Sequence, residues 1–105
     1  MGNKGDKMSS DSTLTAQLMV EKLSSINGIT SKKMFGGHGI FCNGKMFGIV
    51  DSKGQVFLKA NESNRLIFEA AGSHAHGKMP YLSIPHEIFQ NQSELEKWAH
   101  SSIEI

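Results

Sequence analysis

Cysteine occurs once in the 105 residues, at Cys42. That excludes a disulfide within the chain and a zinc cluster built from its own thiolates, and it suits a reducing compartment. Long apolar runs are missing as well: none approaches the ~20 residues that a membrane span requires. Met1 to Lys7 is polar, without the apolar core of a secretory signal, and Asp6 stands where a myristoylation pattern wants Ser or Thr. These gaps lead us to expect a cytoplasmic protein with no membrane contact. A chain of this length has room for one modest core and not two, so a single domain is expected.

An excess of charge of either sign is also lacking, the net charge being +1. The distribution is uneven, however. Residues 31–65 carry six basic side chains against Asp51 and Glu62, whereas residues 66–105 carry Lys78 and Lys97 against five acids. Such asymmetry can orient a partner, although it also occurs on ordinary solvated surfaces.

What the chain does have is a dense glycine-bearing stretch from Met34 to Val50. Ile40 to Cys42 and Met46 to Val50 read as two apolar strands, and Asn43-Gly44 between them supplies the two positive-φ residues of a type I′ turn. Glycines at 36, 37, 39, 44 and 48 imply a bent, strongly twisted sheet with a bulge or a close backbone approach. A phosphate loop needs a strand, a glycine turn and then a helix; here the glycines lead into another strand.

Residues 1–11 are polar and aperiodic, which reads as a disordered arm, and the folded domain is placed at 12–105. A first helix is expected from Ser12 or Thr13 to Ser25, with Leu14, Leu18, Met19, Val20 and Leu23 buried and Asn27-Gly28 as its stop. Ile29 to Met34 reads as an edge strand whose adjacent Lys32 and Lys33 discourage edge-to-edge aggregation. Asp51 to Gly54 is a turn, and Gln55 to Lys59 a strand with Val56 and Leu58 on one face and Phe57 on the other. Asn61 or Ser63 is expected to cap a second helix that turns Leu66, Ile67 and Ala70 toward the sheet, with Phe68 and Ala71 beside them, and ends at Gly72. Pro80 and Pro85 bracket a short edge strand from Tyr81 to Ile84, followed by a helical turn at His86 to Phe89. Ser93 with Glu96 forms a capping box for a last helix that buries Leu95 and Trp98. The fold class is therefore α+β, with a mainly antiparallel twisted sheet of four to five strands and flanking helices.

The side chains with chemical potential do not assemble into a site at sequence level. His74-x-His76 is the most metal-like feature, yet two imidazoles are too few, and the spacings to His38, Cys42 and His86 match no zinc pattern. Cys42 lies beside Phe41 in an apolar strand and reads as a small core residue rather than a nucleophile. The acids stand at turns or on polar helix faces, with no pair set apart for acid/base work. Tyr81 and Trp98 are read as core. A basic recognition helix is absent, so direct sequence-specific DNA binding is not expected.

Several blocks carry a resemblance: Lys32-Lys33-Met34-Phe35-Gly36-Gly37-His38-Gly39-Ile40-Phe41, Lys45-Met46-Phe47-Gly48-Ile49-Val50, Val56-Phe57-Leu58-Lys59, Phe68-Glu69-Ala70-Ala71-Gly72, and Met79-Pro80-Tyr81 with Trp98-Ala99. Together they resemble the N-terminal domain of the TfoX and Sxy competence regulators over residues 13–105. The resemblance implies a bacterial cytoplasmic protein of α+β fold that takes part in transcription regulation. It also implies the transcription machinery or the cyclic-AMP receptor protein as partner, and it brings no catalytic residues. Two features depart from the full-length regulators: the loop from Gly72 to Pro80 is short, and their second, C-terminal domain is not in these residues.

The expectation is thus a non-enzymatic regulatory and protein-interaction domain without a cofactor. Its candidate surface is the edge formed by Lys32, Lys33, Gly36, Gly37 and His38, open to strand addition or to self-association as a homodimer. The alternative is a small-ligand or metal-dependent enzyme using the loop from His74 to Tyr81, with His74 and His76 as ligands.

Overall fold

Helix α1 spans Lys4–Lys22, in a computed structural model that describes residues 4–34, 36–77 and 79–105. It starts eight residues before the expected Ser12, so the stretch up to Asp11, expected as a disordered arm, takes helical backbone; residues 1–3 of that arm lie outside the described residues. Extending a helix adds one hydrogen bond per residue fixed, whereas starting one is costly, so polar residues join a helix that packing has already nucleated. Its buried stripe is Ser12, Ala16 and Met19, continued by Leu23 just past its end, spaced four, three and four apart as one helical face demands. Of the expected stripe Met19 and Leu23 are buried, Leu18 and Val20 are half-buried, and Leu14 is 54% exposed.

The strands are β1 Ile29–Met34, β2 Gly37–Cys42, β3 Lys45–Val50, β4 Val56–Lys59 and β5 Tyr81–Ser83. They stand in sequence order across a five-stranded sheet, and β1 with β2, β2 with β3, and β4 with β5 are antiparallel. With helices α2 Arg65–Ala70, α3 His86–Gln90 and α4 Gln92–Ile103, the class is α+β as expected. By contacts the chain forms two compact units, residues 1–56 and 57–105.

In the first unit α1 packs chiefly on β2. Asn43 and Gly44 turn the β2–β3 hairpin with φ of 53° and 84°, the signature of a type I′ turn. Ile40 pairs with Gly48 but Phe41 pairs with Met46, so Phe47 is the extra residue of a bulge. Strict alternation inward from Val50 would send Met46 to the core and Phe47 outward; the bulge reverses this and buries Phe47 with Ile40 and Val50. Each such side chain contributes about 1.5–3 kcal/mol by leaving water. After β3, Asp51 Oδ1 accepts from the amides of Lys53 and Gln55, both at 2.9 Å, and Gly54 closes the turn onto the Asp51 carbonyl at 3.0 Å.

In the second unit, Phe57 pairs with Ser83 and Lys59 with Tyr81. The Lys59 carbonyl accepts from Asn64 Nδ2 at 3.1 Å and from Ser102 Oγ at 2.7 Å, which ties the strand end to both α2 and α4. Asn64, almost fully buried, stands at the N-cap of α2, where its carbonyl accepts from the Ile67 amide at 3.2 Å but its side chain does not cap the helix; its Oδ1 accepts instead from the Asn61 amide at 2.8 Å. The face of α2 differs from expectation. Phe68 is the side chain that goes inside, with its ring edge-on to Trp98 at 4.7 Å, while Leu66 is 75% and Ile67 50% exposed and Ala70 is exposed too. A six-residue helix anchored by one large aromatic rotates to suit that ring, and its other apolar residues follow. The cap of α4 is Asn91, whose side chain accepts from the Glu94 amide at 3.2 Å, two residues ahead of the expected Ser93.

Candidate interaction surface

β1 ends the strand order, so among the described residues one of its sides has no neighbouring strand, and its Thr30, Ser31, Lys32 and Lys33 are all exposed. Alternation puts the two lysines on opposite faces. Lys33 stands opposite His38 and Lys32 opposite Gly39. His38 Nδ1 lies 3.0 Å from Ser12 Oγ of α1, which makes the Lys33 side the helix-covered face. On the other face, Met34 Sδ, Met46 Sδ and Phe41 close over the bare Cα of Gly39 at 2.9–3.1 Å from where a Cβ would stand.

The five residues expected to form one surface therefore divide. Lys32 and Lys33 lie on the open edge, and Gly36 is exposed in the turn that follows β1. Gly37 is buried instead: a Cβ there would run into the Val50 carbonyl oxygen of β3. His38 is half-buried beneath α1, where burial first and the Lys33 charge second hold its imidazole below the ordinary value. Both belong to β2, which is paired with β1 on one side and β3 on the other.

Beside the edge runs a shallow groove of about 400 Å³, lined by Gln17, Val20 and Glu21 of α1 and by Ile29, Thr30 and Ser31 of β1. No pattern in the sequence marks it directly, because its walls on α1 and β1 are brought together only by packing. The signal that was available is the polar pair Gln17 and Glu21 set beside Val20 on the helix.

The histidine loop is more tightly held than its composition suggested. Ala75 bridges to Leu82, and the Ser83 amide donates to the His74 carbonyl at 2.8 Å. The rings of His74 and His76 both stand edge-on to Phe57, at 5.7 and 4.8 Å between centroids, so they cover a core side chain of β4. His74 Nδ1 is 3.2 Å from Ser83 Oγ, whereas His76 Nδ1 is shielded from water and finds no hydrogen-bond partner among the described residues. Among the described residues no group of three or more His, Cys, Asp or Glu side chains is gathered that could hold a metal ion. Nearby Tyr81 is buried, which pushes its phenol above the usual value.

Cys42 also departs from expectation. It is half-buried at the hairpin end rather than in the core, and its thiol donates to the Asn27 carbonyl at 3.5 Å. Among the described residues no helix is long and apolar enough to cross a membrane.

Compared with known families, residues 21–105 match the model of the TfoX N-terminal domain. No curated protein matches the chain.

Proposed function

The chain belongs to the TfoX N-terminal domain family, and on that premise we propose that it is a non-enzymatic regulatory domain that acts by binding another protein. The observation that carries this reading is β1, a lateral strand with four consecutive exposed residues and two lysines on an otherwise uncommitted edge. An edge of this kind offers backbone donors and acceptors to an added strand while its side chains select the partner. The setting is bacterial cytoplasm, and the family resemblance supplies the partner class: the transcription machinery, or the cyclic-AMP receptor protein.

The test uses the purified domain, immobilised and exposed separately to the cyclic-AMP receptor protein with cyclic AMP and to RNA polymerase, with binding read by surface plasmon resonance. Saturable binding to one of them, weakened by Lys32→Glu with Lys33→Glu, is the expected result. Failure of the wild-type domain to bind either, together with failure to capture any protein from the native host, would overturn the reading.

A further inference from the structure

Resting on that reading, we propose that the open side of β1 receives an extended acidic segment, added antiparallel, with two adjacent acidic residues facing Lys32 and Lys33. The spacing follows from the pleat. Lys32 and Lys33 project to opposite faces of the sheet, so one acid is needed on each face, and in a strand that requires consecutive positions. Acids two apart would both fall on one face and leave one lysine without a counter-charge.

The groove sets which end of the segment is apolar. On the α1-covered face, β1 presents Ile29 and Ser31 and then Lys33. The groove lies at the Ile29 end, with Val20 and Ile29 as its apolar part and Glu21 at its rim. Glu21 repels an acid there, so the acidic pair belongs at the Lys33 end and a small apolar side chain at the other. A volume of about 400 Å³ holds one or two valine-sized groups.

Charge also argues against a second copy of the chain as occupant. Pairing β1 with itself about a two-fold axis sets one residue opposite its own copy, and with Ser31 there Lys32 lies diagonal to the other copy's Lys32 on the same face. A slip of one residue toward Met34 sets Lys32 directly opposite its own copy. Like charges at cross-strand positions are destabilising, and opposite ones favourable.

The probe is a fluorescein-labelled nine-residue peptide of alternating Thr and Val with a central Asp-Glu pair, titrated into the ¹⁵N-labelled full chain. The expected result is saturable polarisation with amide shifts concentrated on Thr30 to Lys33. Affinity should fall about ten-fold or more with Lys32→Glu and Lys33→Glu together, and return when the peptide carries Lys-Lys in place of Asp-Glu. Methylating alternate peptide amides on the ladder side should abolish binding. Three outcomes would overturn the proposal: no binding by the wild-type chain, equal binding of both peptides to it, or dimerisation of the chain with intermolecular contacts along β1. If a natural protein partner is bound with undiminished affinity by the charge-reversed chain, the acidic-strand proposal fails while the protein-binding reading stands.

Discussion

Ser12 Oγ of α1 and His38 Nδ1 of β2 lie 3.0 Å apart across 26 residues of sequence. The contact places a titratable ring between the helix and the sheet, with Lys33 on the neighbouring strand opposite it. A cation there is disfavoured by burial and by the lysine charge, which is why the imidazole is held below its ordinary 6.5.

The sign of the resulting pH dependence is fixed. Between the depressed folded pKa and about 6.5 the unfolded chain binds more protons at this residue than the folded one, so stability rises with pH across that window and falls on acidification. Urea denaturation from pH 7 to pH 5 should show this loss, and His38→Gln should flatten it. A His38 ring titrating at or above the ordinary value by NMR would refute the account.

Phe68 and Leu66 should respond oppositely to truncation although they are two residues apart on α2. Phe68→Ala removes a ring packed on Trp98 and should cost about 3–5 kcal/mol. Leu66→Ala removes an exposed side chain and should stay within about 0.5 kcal/mol. Chemical denaturation of the two variants checks this, and comparable losses would mean that α2 turns another face inward.

Asn64 joins β4, α2 and α4 through its amide, which donates to the Lys59 carbonyl and to Ser101 Oγ at 3.2 Å. Asn64→Ala should cost about 1–3 kcal/mol, because it empties a buried position and removes the side chain that bonds the Asn61 amide, the Lys59 carbonyl and Ser101. Asn64→Asp keeps the acceptor for the Asn61 amide but loses both donors, so it should recover only part of the loss. Thermal unfolding of the three chains ranks them; full recovery by Asp would show that the donors contribute nothing.

Gly37→Ala tests the close approach of β2 to β3. The added methyl meets the Val50 carbonyl and the Asp51 backbone, so the strands must shift at a cost of about 1–3 kcal/mol. Amide spectra should move most at Val50 and Asp51. Unchanged spectra there would remove this reason for the glycine.

Much of this architecture was legible from local chemistry. Asn43-Gly44 and Asp51 with Gly54 declare their turns through backbone preferences that need no distant partner. The strands around them follow from short apolar runs between those turns, and the lysine pair marks β1 as an edge for the same local reason. Of the residues expected on the candidate surface, Lys32 and Lys33 stand exposed on β1, while Gly37 is buried against the Val50 carbonyl and His38 is half-buried beside Ser12. Two neighbours in sequence point to opposite faces of a strand, and nothing local says which face a helix will cover.

The amino-acid order by itself determined the turns, the succession of strands and helices and the position of the positive edge, because each depends on a few consecutive residues. Tertiary packing decided which stripe of α1 is buried, that Phe68 rather than Leu66 or Ile67 anchors α2, that Phe47 enters the core through a bulge, and that a groove borders β1. In each of these several local choices are nearly equal in free energy, and contacts between residues far apart in the chain select among them.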